Sequence, residues 1–338
     1  MRSITTCPGA QPTVMPTVSV VIPTYNRADL LPRAIDSVLD QTHDDLELVV
    51  VDDGSTDNTE AVVESYDDPR VRYVAHETNR GANVARNTGI EAADGEYVAF
   101  LDSDDEWRPR KLELQLDRVT DGTWVGAYCD AETRTAGLTA ELRSSAASLL
   151  ARADDEPERK GGAELVGEIL ADNVQPGAGS TLLVRTDVAR AVGGFDEELD
   201  RFQDPEFVIR VLGEGPLTYV DETLVVRHPT GSPPADTVRV ADERYRSKHA
   251  AAVDRAEERG LDVRGAHELV LTKRYAEEGQ FPAAASHLRR ATVTPRHAPG
   301  LLWSVGTGLR RRRVAAGLLL ALAVALVLVG VLSGGRRA

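Results

Sequence analysis

Two short apolar runs, Val18–Ile22 and Leu46–Val51, each end at a polar or proline stop and are separated by a segment of helical periodicity. No other feature constrains the fold as strongly. Pro23 closes the first run and Asp52 and Asp53 close the second, while Leu31, Ala34, Ile35, Val38 and Leu39 recur at helical spacing between them. Apolar strands without polar alternation are covered on both faces, and a helix joining two of them makes a parallel pair. Val71–Ala75 reads as a third strand, residues 82–93 as a helix, and Tyr97–Leu101 as a fourth strand ending at Asp102. The expected fold class is α/β, a largely parallel central sheet flanked by helices. Ligands of such sheets gather beyond the strand C-termini, where the acidic residues of this chain stand.

Further on, residues 110–120 read as a helix, 124–129 as a strand and 163–170 as a structured segment. Between them, residues 143–162 are rich in Ser, Ala, Asp and Glu and hold Pro157, which suggests an exposed insertion. Thr181–Val184 resembles a strand and 186–192 a helix. From Asp236 to Val293 the composition predicts three helices, with Pro295 and Pro299 marking their end. The expected division is a flexible segment 1–16, a main domain 17–235 with halves 17–122 and 123–235, and a small helical region 236–300. A basic juxtamembrane segment 301–313, a transmembrane helix 314–332 and a tail 333–338 would follow.

The membrane expectation rests on Val314–Leu332, 19 residues without a charge. As a helix they would span about 28 Å, close to the roughly 30 Å hydrocarbon core. Arg310–Arg313 precede the run and Arg336 and Arg337 follow it, so the positive-inside rule places the N-terminal part in the cytoplasm. Trp303 is either an anchor at the interface or an ordinary surface or core Trp. The expected localisation is therefore the cell membrane, single-pass, with a cytoplasmic catalytic domain. Residues 1–16 hold no apolar leader stretch, so export of the main domain is not expected.

The chain carries 54 acidic against 39 basic residues, a net charge of −15. Setting aside the six tail arginines leaves 33 basic against 54 acidic residues, −21 for residues 1–309. A field of that sign excludes a broad phosphate-gripping surface for nucleic acid, and it fits a salt-rich, halophilic cytoplasm. Cys7 and Cys129 give no disulfide framework.

Three clusters carry chemistry. Asp52 and Asp53 precede a Gly-Ser-Thr-Asp turn at 54–57; either the turn only caps the next helix, or a carboxylate also accepts from a nucleobase N–H or ribose hydroxyls. Asp102, Ser103, Asp104 and Asp105 suit a hard divalent cation, Mg²⁺ or Mn²⁺, bridging to a diphosphate. Asp204 either caps a helix opening at Pro205 or takes a proton from an alcohol. His228 is a metal ligand or a hydrogen-bonding loop residue. The absence of a glycine-rich dinucleotide fingerprint and of a phosphate loop removes the main support for oxidoreductase and ATPase readings.

Residues 19–27 (SVVIPTYNR), 51–59 (VDDGSTDNT), 79–89 (NRGANVARNTG) and 95–107 (GEYVAFLDSDDEW) resemble the family 2 glycosyltransferases of the GT-A fold. Pro109, Lys111 and Leu112, then GGFDE at 193–197 and the Asp204 segment, continue the likeness over about residues 17–230. The resemblance implies a nucleotide-sugar half at 17–122 and an acceptor half at 123–235. In it Pro23, Thr24 and Tyr25 frame the nucleotide, Asp52 accepts from the base imide of a uridine diphosphate sugar, and Arg86 lies near the base or diphosphate. Asp102 and Ser103 border the ribose or donor sugar, Asp104 and His228 hold Mn²⁺ or Mg²⁺, and Asp204 is the general base of an inverting transfer.

Gln203 stands where the family commonly has Glu, and the Gln-x-x-Arg-Trp motif of processive synthases is missing, so transfer of a single sugar is expected. With the apolar tail, the acceptor would be a hydroxyl or phosphate of a membrane-associated molecule, either a polyprenyl-phosphate carrier or a lipid-linked glycan. The whole would resemble archaeal, including haloarchaeal, transferases of cell-surface protein glycosylation or polysaccharide synthesis. A sugar nucleotidyltransferase, which would release pyrophosphate, and a non-catalytic membrane scaffold are the alternatives.

Overall fold

The computed structural model describes residues 17–120, 122–134, 159–177, 179–228, 231, 233–294 and 297–312. Eight strands form one sheet: β1 Val18–Thr24, β2 Leu46–Asp52, β3 Val71–Ala75, β4 Tyr97–Phe100, β5 Glu106–Trp107, β6 Gly126–Thr133, β7 Leu183–Arg185 and β8 Leu217–Arg227. Their order is β3-β2-β1-β4-β7-β6-β8-β5. The β3-β2-β1-β4 half is parallel, as expected. Beyond it, β4–β7, β7–β6 and β8–β5 pair antiparallel while β6–β8 is parallel. The largely parallel sheet is thus corrected to a mixed one. The short β7 runs back against β4 and turns the sheet from one mode to the other.

Every residue of β1 and β2 is buried, because alternate side chains feed two cores. Val18, Val20 and Ile22 of β1 and Leu48 and Val50 of β2 join Leu31 and Ile35 of helix α1 (Leu31–Leu39). Val21, Val49 and Val51 face the other way, toward Ala85 of α3 (Ala82–Ala92) and Phe100, Phe195 and Phe207. Helix α2 (Thr59–Glu64) follows β2, and α4 (Lys111–Val119) lies beside α1 on the first face. Helices α5 (Ala163–Leu170), α6 (Thr186–Ala191) and α7 (Gln203–Glu214) complete the second face.

Among the described residues, the region from Asp236 to Val293 holds four helices where three were expected, α8 Ala235–Lys248, α9 Ala250–Glu258, α10 Val263–Glu277 and α11 Phe281–Leu288, and α12 Ala298–Arg312 follows. It is no loose attachment. Tyr245, Val253, Ala256 and Val263 form a buried cluster with Leu170 and Ala171 of the main domain. Residues 301–312, expected as a juxtamembrane segment, are the body of α12, where Leu301 and Val305 are buried and Ser304 Oγ donates to Glu277 Oε1 at 2.9 Å. Trp303, expected at a membrane interface, lies under the Arg310 guanidinium at 5.6 Å.

The membrane expectation is corrected as well. Among the described residues no helix is long and apolar enough to cross a membrane. The 15 residues of α12 reach only about 22 Å and end in arginines. Residues 314–332 lie outside the described residues, as do 1–16 and most of the 143–162 insertion. The transmembrane helix, the single-pass localisation and the membrane-associated acceptor are not carried forward.

Lys111 opens α4 fully buried, with its Nζ 2.8 Å from Gln115 Oε1 and 3.8 Å from the Trp107 ring centroid. Burial lowers its pKa to about 8, opposed slightly by Cys129. The unfolded chain keeps an ordinary lysine near 10.5 and binds more protons between the two values, so this site's contribution to stability rises with pH from about 8 to 10.5 and is least favourable below 8. Lys111→Met should therefore stabilise the protein by about 2 kcal/mol at neutral pH. In urea denaturation across a pH series the gain should shrink above pH 8; a gain that does not change with pH would contradict this.

Candidate active site

The parallel strands β1, β2 and β4 deliver their C-terminal ends to one edge of the sheet, so Thr24, Asp52 and Asp102 arrive there together. Pro23 and Thr24 are buried, and Thr24 Oγ1 has no partner among the described residues. Tyr25 is 43% exposed on the rim. The loop after β1 is tied to the turn after β2. Asn26 N–H donates to Ser55 Oγ at 2.8 Å, Thr56 N–H to Asn26 Oδ1 at 2.8 Å, and Ala28 N–H to Asp57 Oδ2 at 3.1 Å. Gly54 has φ +78°, and a Cβ there would come within 2.7 Å of the Thr78 carbonyl carbon, so only glycine lets this turn close.

The two adjacent carboxylates divide their work. Asp52 Oδ1 accepts from Ser55 N–H at 2.9 Å and Oδ2 from the Tyr73 hydroxyl at 2.6 Å, which fixes the carboxylate while leaving lone pairs for a ligand. Burial and then Asp52 push the Tyr73 hydroxyl pKa up. Asp53 is structural. Its Oδ1 accepts from Arg80 N–H at 2.9 Å and faces His76 Nδ1 at 2.7 Å, and its Oδ2 accepts from Gly81 N–H at 2.7 Å, just before α3 begins. Asp53 thus ties down the entry to α3, while the turn itself serves the next helix, Asp57 Oδ1 accepting from Thr59 N–H at 3.1 Å where α2 begins.

Arg86 projects from α3, donating to Asp102 Oδ1 at 2.6 Å and to Asn83 Oδ1 at 3.0 Å. Burial raises the Asp102 pKa, Arg86 pulls it back, and Asp204 and Asp104 raise it again. Ser103 is buried beside it. Asp104 Oδ1 lies 2.9 Å from Arg27 Nη1, and Arg33 donates to the Asp104 carbonyl oxygen. Asp105 accepts from Ser180 Oγ at 2.7 Å and from His228 N–H at 3.2 Å; burial first, then Asp102, pushes its pKa to about 7.

A loop preceding β7 joins these groups to Asp204. Gly179 N–H donates to Asp204 Oδ2 at 3.1 Å, and a Cβ on Gly179 would sit 2.9 Å from Asp102 Oδ2. The loop is held from behind: Trp107 Nε1–H donates to Ser180 O at 2.8 Å and Gln115 Nε2 to Thr181 O at 2.8 Å. Helix α7 starts at Gln203, which puts Asp204 inside its first turn. The described hydrogen bond of its carboxylate goes to Gly179, not to its own helix as an N-cap would, and its Oδ1 is buried without a partner among the described residues. Asp102, Asp104 and Asp204 thus all bear on the Arg86 guanidinium, while Asp52 ends β2 beside Thr24 of β1.

His228 Nε2 lies 3.4 Å from Glu106 Oε1. Among the described residues no group of three or more His, Cys, Asp or Glu is arranged to hold a metal. A hard cation bound to a diphosphate needs only one or two protein carboxylates, so the donor set of Asp104 fits such an ion if Arg27 gives way. Sequence reasoning missed Arg27, although it ends the motif SVVIPTYNR, and it missed Gly179, Ser180 and Gln115. Gly179 acts through its backbone N–H and its missing side chain, and Ser180 and Gln115 through partners distant in sequence, none of which leaves a compositional signal.

The open α/β sheet thus gathers carboxylates at the strand ends of its parallel half, and α7 adds Asp204 beside the loop that precedes β7. Residues 19–168 match the family model described as Glycosyl transferase family 2. The chain is 50% identical over 104 residues to the putative teichuronic acid biosynthesis glycosyltransferase TuaG of Bacillus subtilis, covering 30% of this chain and 41% of that one. It is 44% identical over 102 residues to the UDP-Glc:alpha-D-GlcNAc-diphosphoundecaprenol beta-1,3-glucosyltransferase WfgD of Escherichia coli, covering 30% and 40%. The chain spans less than half the length of these curated relatives. In fold it is similar to the S. aureus TarS fragment 1–349 in complex with UDP-GlcNAc, at a TM-score of 0.51 and 16% identity over 86% of this chain and 92% of that one. These relatives are bacterial, and acidity alone does not name a host, so the archaeal and halophilic assignment is withdrawn.

Asp53→Asn should lower stability by about 2–3 kcal/mol, because an amide cannot accept at both oxygens from Arg80, Gly81 and His76. Urea unfolding checks this; a variant as stable as the parent would return Asp53 to the list of ligand-binding groups.

Proposed function

We propose that this chain transfers a single sugar, with inversion, from a nucleoside diphosphate sugar, uridine-linked, to a hydroxyl of a saccharide acceptor. The observation that carries this reading is the Asp204 carboxylate. One oxygen is held by Gly179 N–H against Asp102, and the other is buried without a partner among the described residues. That is the arrangement a general base needs.

The donor half is 17–122 and the acceptor half 123–235. Pro23, Thr24 and Tyr25 frame the nucleotide, with Tyr25 free on the rim to stack on the base. Asp52, oriented by Ser55 and Tyr73, accepts from the uracil imide. Asp102 and Ser103 border the ribose and donor sugar, and Arg86, already paired with Asp102, faces the developing charge of the diphosphate. Mn²⁺ or Mg²⁺ held at Asp104, with His228 as a second donor, would supply further compensation for that charge.

In the transfer, the acceptor oxygen forms a bond to the anomeric carbon while the bond from that carbon to the diphosphate oxygen breaks. Asp204 takes the acceptor proton, and the nucleoside diphosphate leaves with the electron pair. One displacement from the opposite face inverts the configuration and needs one base. The UDP-Glc in the name of WfgD supports the uridine nucleotide, and the alpha-D-GlcNAc in the same name supports a saccharide acceptor.

Asp204→Asn should lower kcat by about 100-fold or more while calorimetric affinity for uridine diphosphate stays within about twofold. Asp104→Ala should weaken Mn²⁺-dependent binding of uridine diphosphate about tenfold and leave metal-free binding unchanged. Unaltered kcat in the first variant, or unaltered metal dependence in the second, would remove that residue from its role.

A further inference from the structure

Phe202, the residue before α7, has φ 61° and ψ 13°. A bulky aromatic seldom occupies this left-handed region, so its surroundings must hold it there. The Phe202 ring stacks on Tyr245 of α8, with centroids 5.2 Å apart and planes at 9°, and lies 5.9 Å from the His267 ring of α10. Tyr245 is itself almost wholly buried, and its hydroxyl has no hydrogen-bond partner among the described residues, so it acts here through its ring. His267 is fixed at both nitrogens, Nδ1 against Asp242 and Nε2 at 2.9 Å from Leu170 O. Together the two rings form a rigid wall supplied by the C-terminal helices.

That wall bears on the site through two residues of chain. The Phe202 carbonyl accepts from Glu206 N–H at 3.0 Å, the first turn of α7, and Asp204 sits within this turn. The same helices grip the flanks: Lys248 Nζ lies 2.6 Å from Glu206 Oε1 and 2.5 Å from Asp196 Oδ2, and Arg244 donates to Glu198 O at 2.6 Å. None of these groups belongs to residues 19–168, the part matched by the family model.

We propose that Tyr245 is a positioning residue, whose ring holds Phe202 in its left-handed conformation and thereby sets Asp204 against Gly179. The C-terminal helices are then part of the transferring unit. This rests on the reading of Asp204 as the base, and the test separates the two.

In the full chain, Tyr245→Leu keeps apolar bulk but loses the stacked ring, and Tyr245→Phe keeps the ring. The leucine variant should lower kcat at least tenfold with uridine diphosphate affinity within twofold of the parent. It should also speed hydrogen exchange at the amides of Gly179 and residues 203–206, excluding Pro205, while residues 46–56 stay protected. The phenylalanine variant should restore both turnover and protection. Parental exchange at those amides in the leucine variant would overturn the proposal, as would equal loss of protection and nucleotide binding throughout the sheet. A parent chain that turns over no nucleotide sugar would defeat the transferase reading, and the exchange pattern would still decide the role of Tyr245.

Discussion

The site depends on one short stretch of backbone, Gly179–Thr181. Its N–H at 179 holds Asp204, its missing side chain lets the Asp102 carboxylate approach, and the Ser180 hydroxyl engages Asp105. Two side chains from the opposite layer, Trp107 and Gln115, fix its carbonyls. A side chain at 179 would have to displace one carboxylate or the other. Because β7 follows directly, the position of this loop is set by the antiparallel pairing of β7 with β4. That pairing is thus what brings the end of β4 and the start of α7 together.

Gathering carboxylates at a desolvated edge is unfavourable unless cations or oriented donors compensate. Here Arg86 answers Asp102, Arg27 answers Asp104, and backbone N–H groups answer Asp53, Asp105 and Asp204. The residual imbalance shows in the raised pKa values of Asp102 and Asp105, both driven first by burial. An edge in this condition favours a ligand that brings positive charge or hydrogen-bond donors. The C-terminal helices add a different constraint, since they share a buried cluster with Leu170 and Ala171 and wall in the residue that opens α7.

In the parallel half β1, β2 and β4 were legible in the sequence because they are buried on both faces, whereas the edge strand β3 is partly exposed and shows as a short β-favouring run. Val71–Ala75 falls where its run of residues predicts, and Leu46–Asp52 differs from its run by one residue. Residues 217–227 resist such reading, since Asp221, Glu222 and Thr223 interrupt the apolar pattern where the register with β6 slips near Asp130. The acidic clusters were legible as chemistry but not as roles. Nothing in the letters Asp-Asp distinguishes Asp52 from Asp53; that difference is made by Tyr73 on one side and the 80–81 amides on the other. The run Arg310–Arg313 suggested a membrane flank, whereas Leu301, Ser304 and Val305 at helical spacing carried the packing signal of α12.

The central claim is that acids from several strand ends and one helix serve a single displacement at an anomeric carbon. The most direct measurement is to incubate the full chain with Mn²⁺, a panel of nucleotide sugars and saccharide acceptors, and weigh the products by mass spectrometry. One nucleoside diphosphate released for each sugar gained by an acceptor is the predicted result. Release of pyrophosphate, or intact donors throughout the panel, would contradict it.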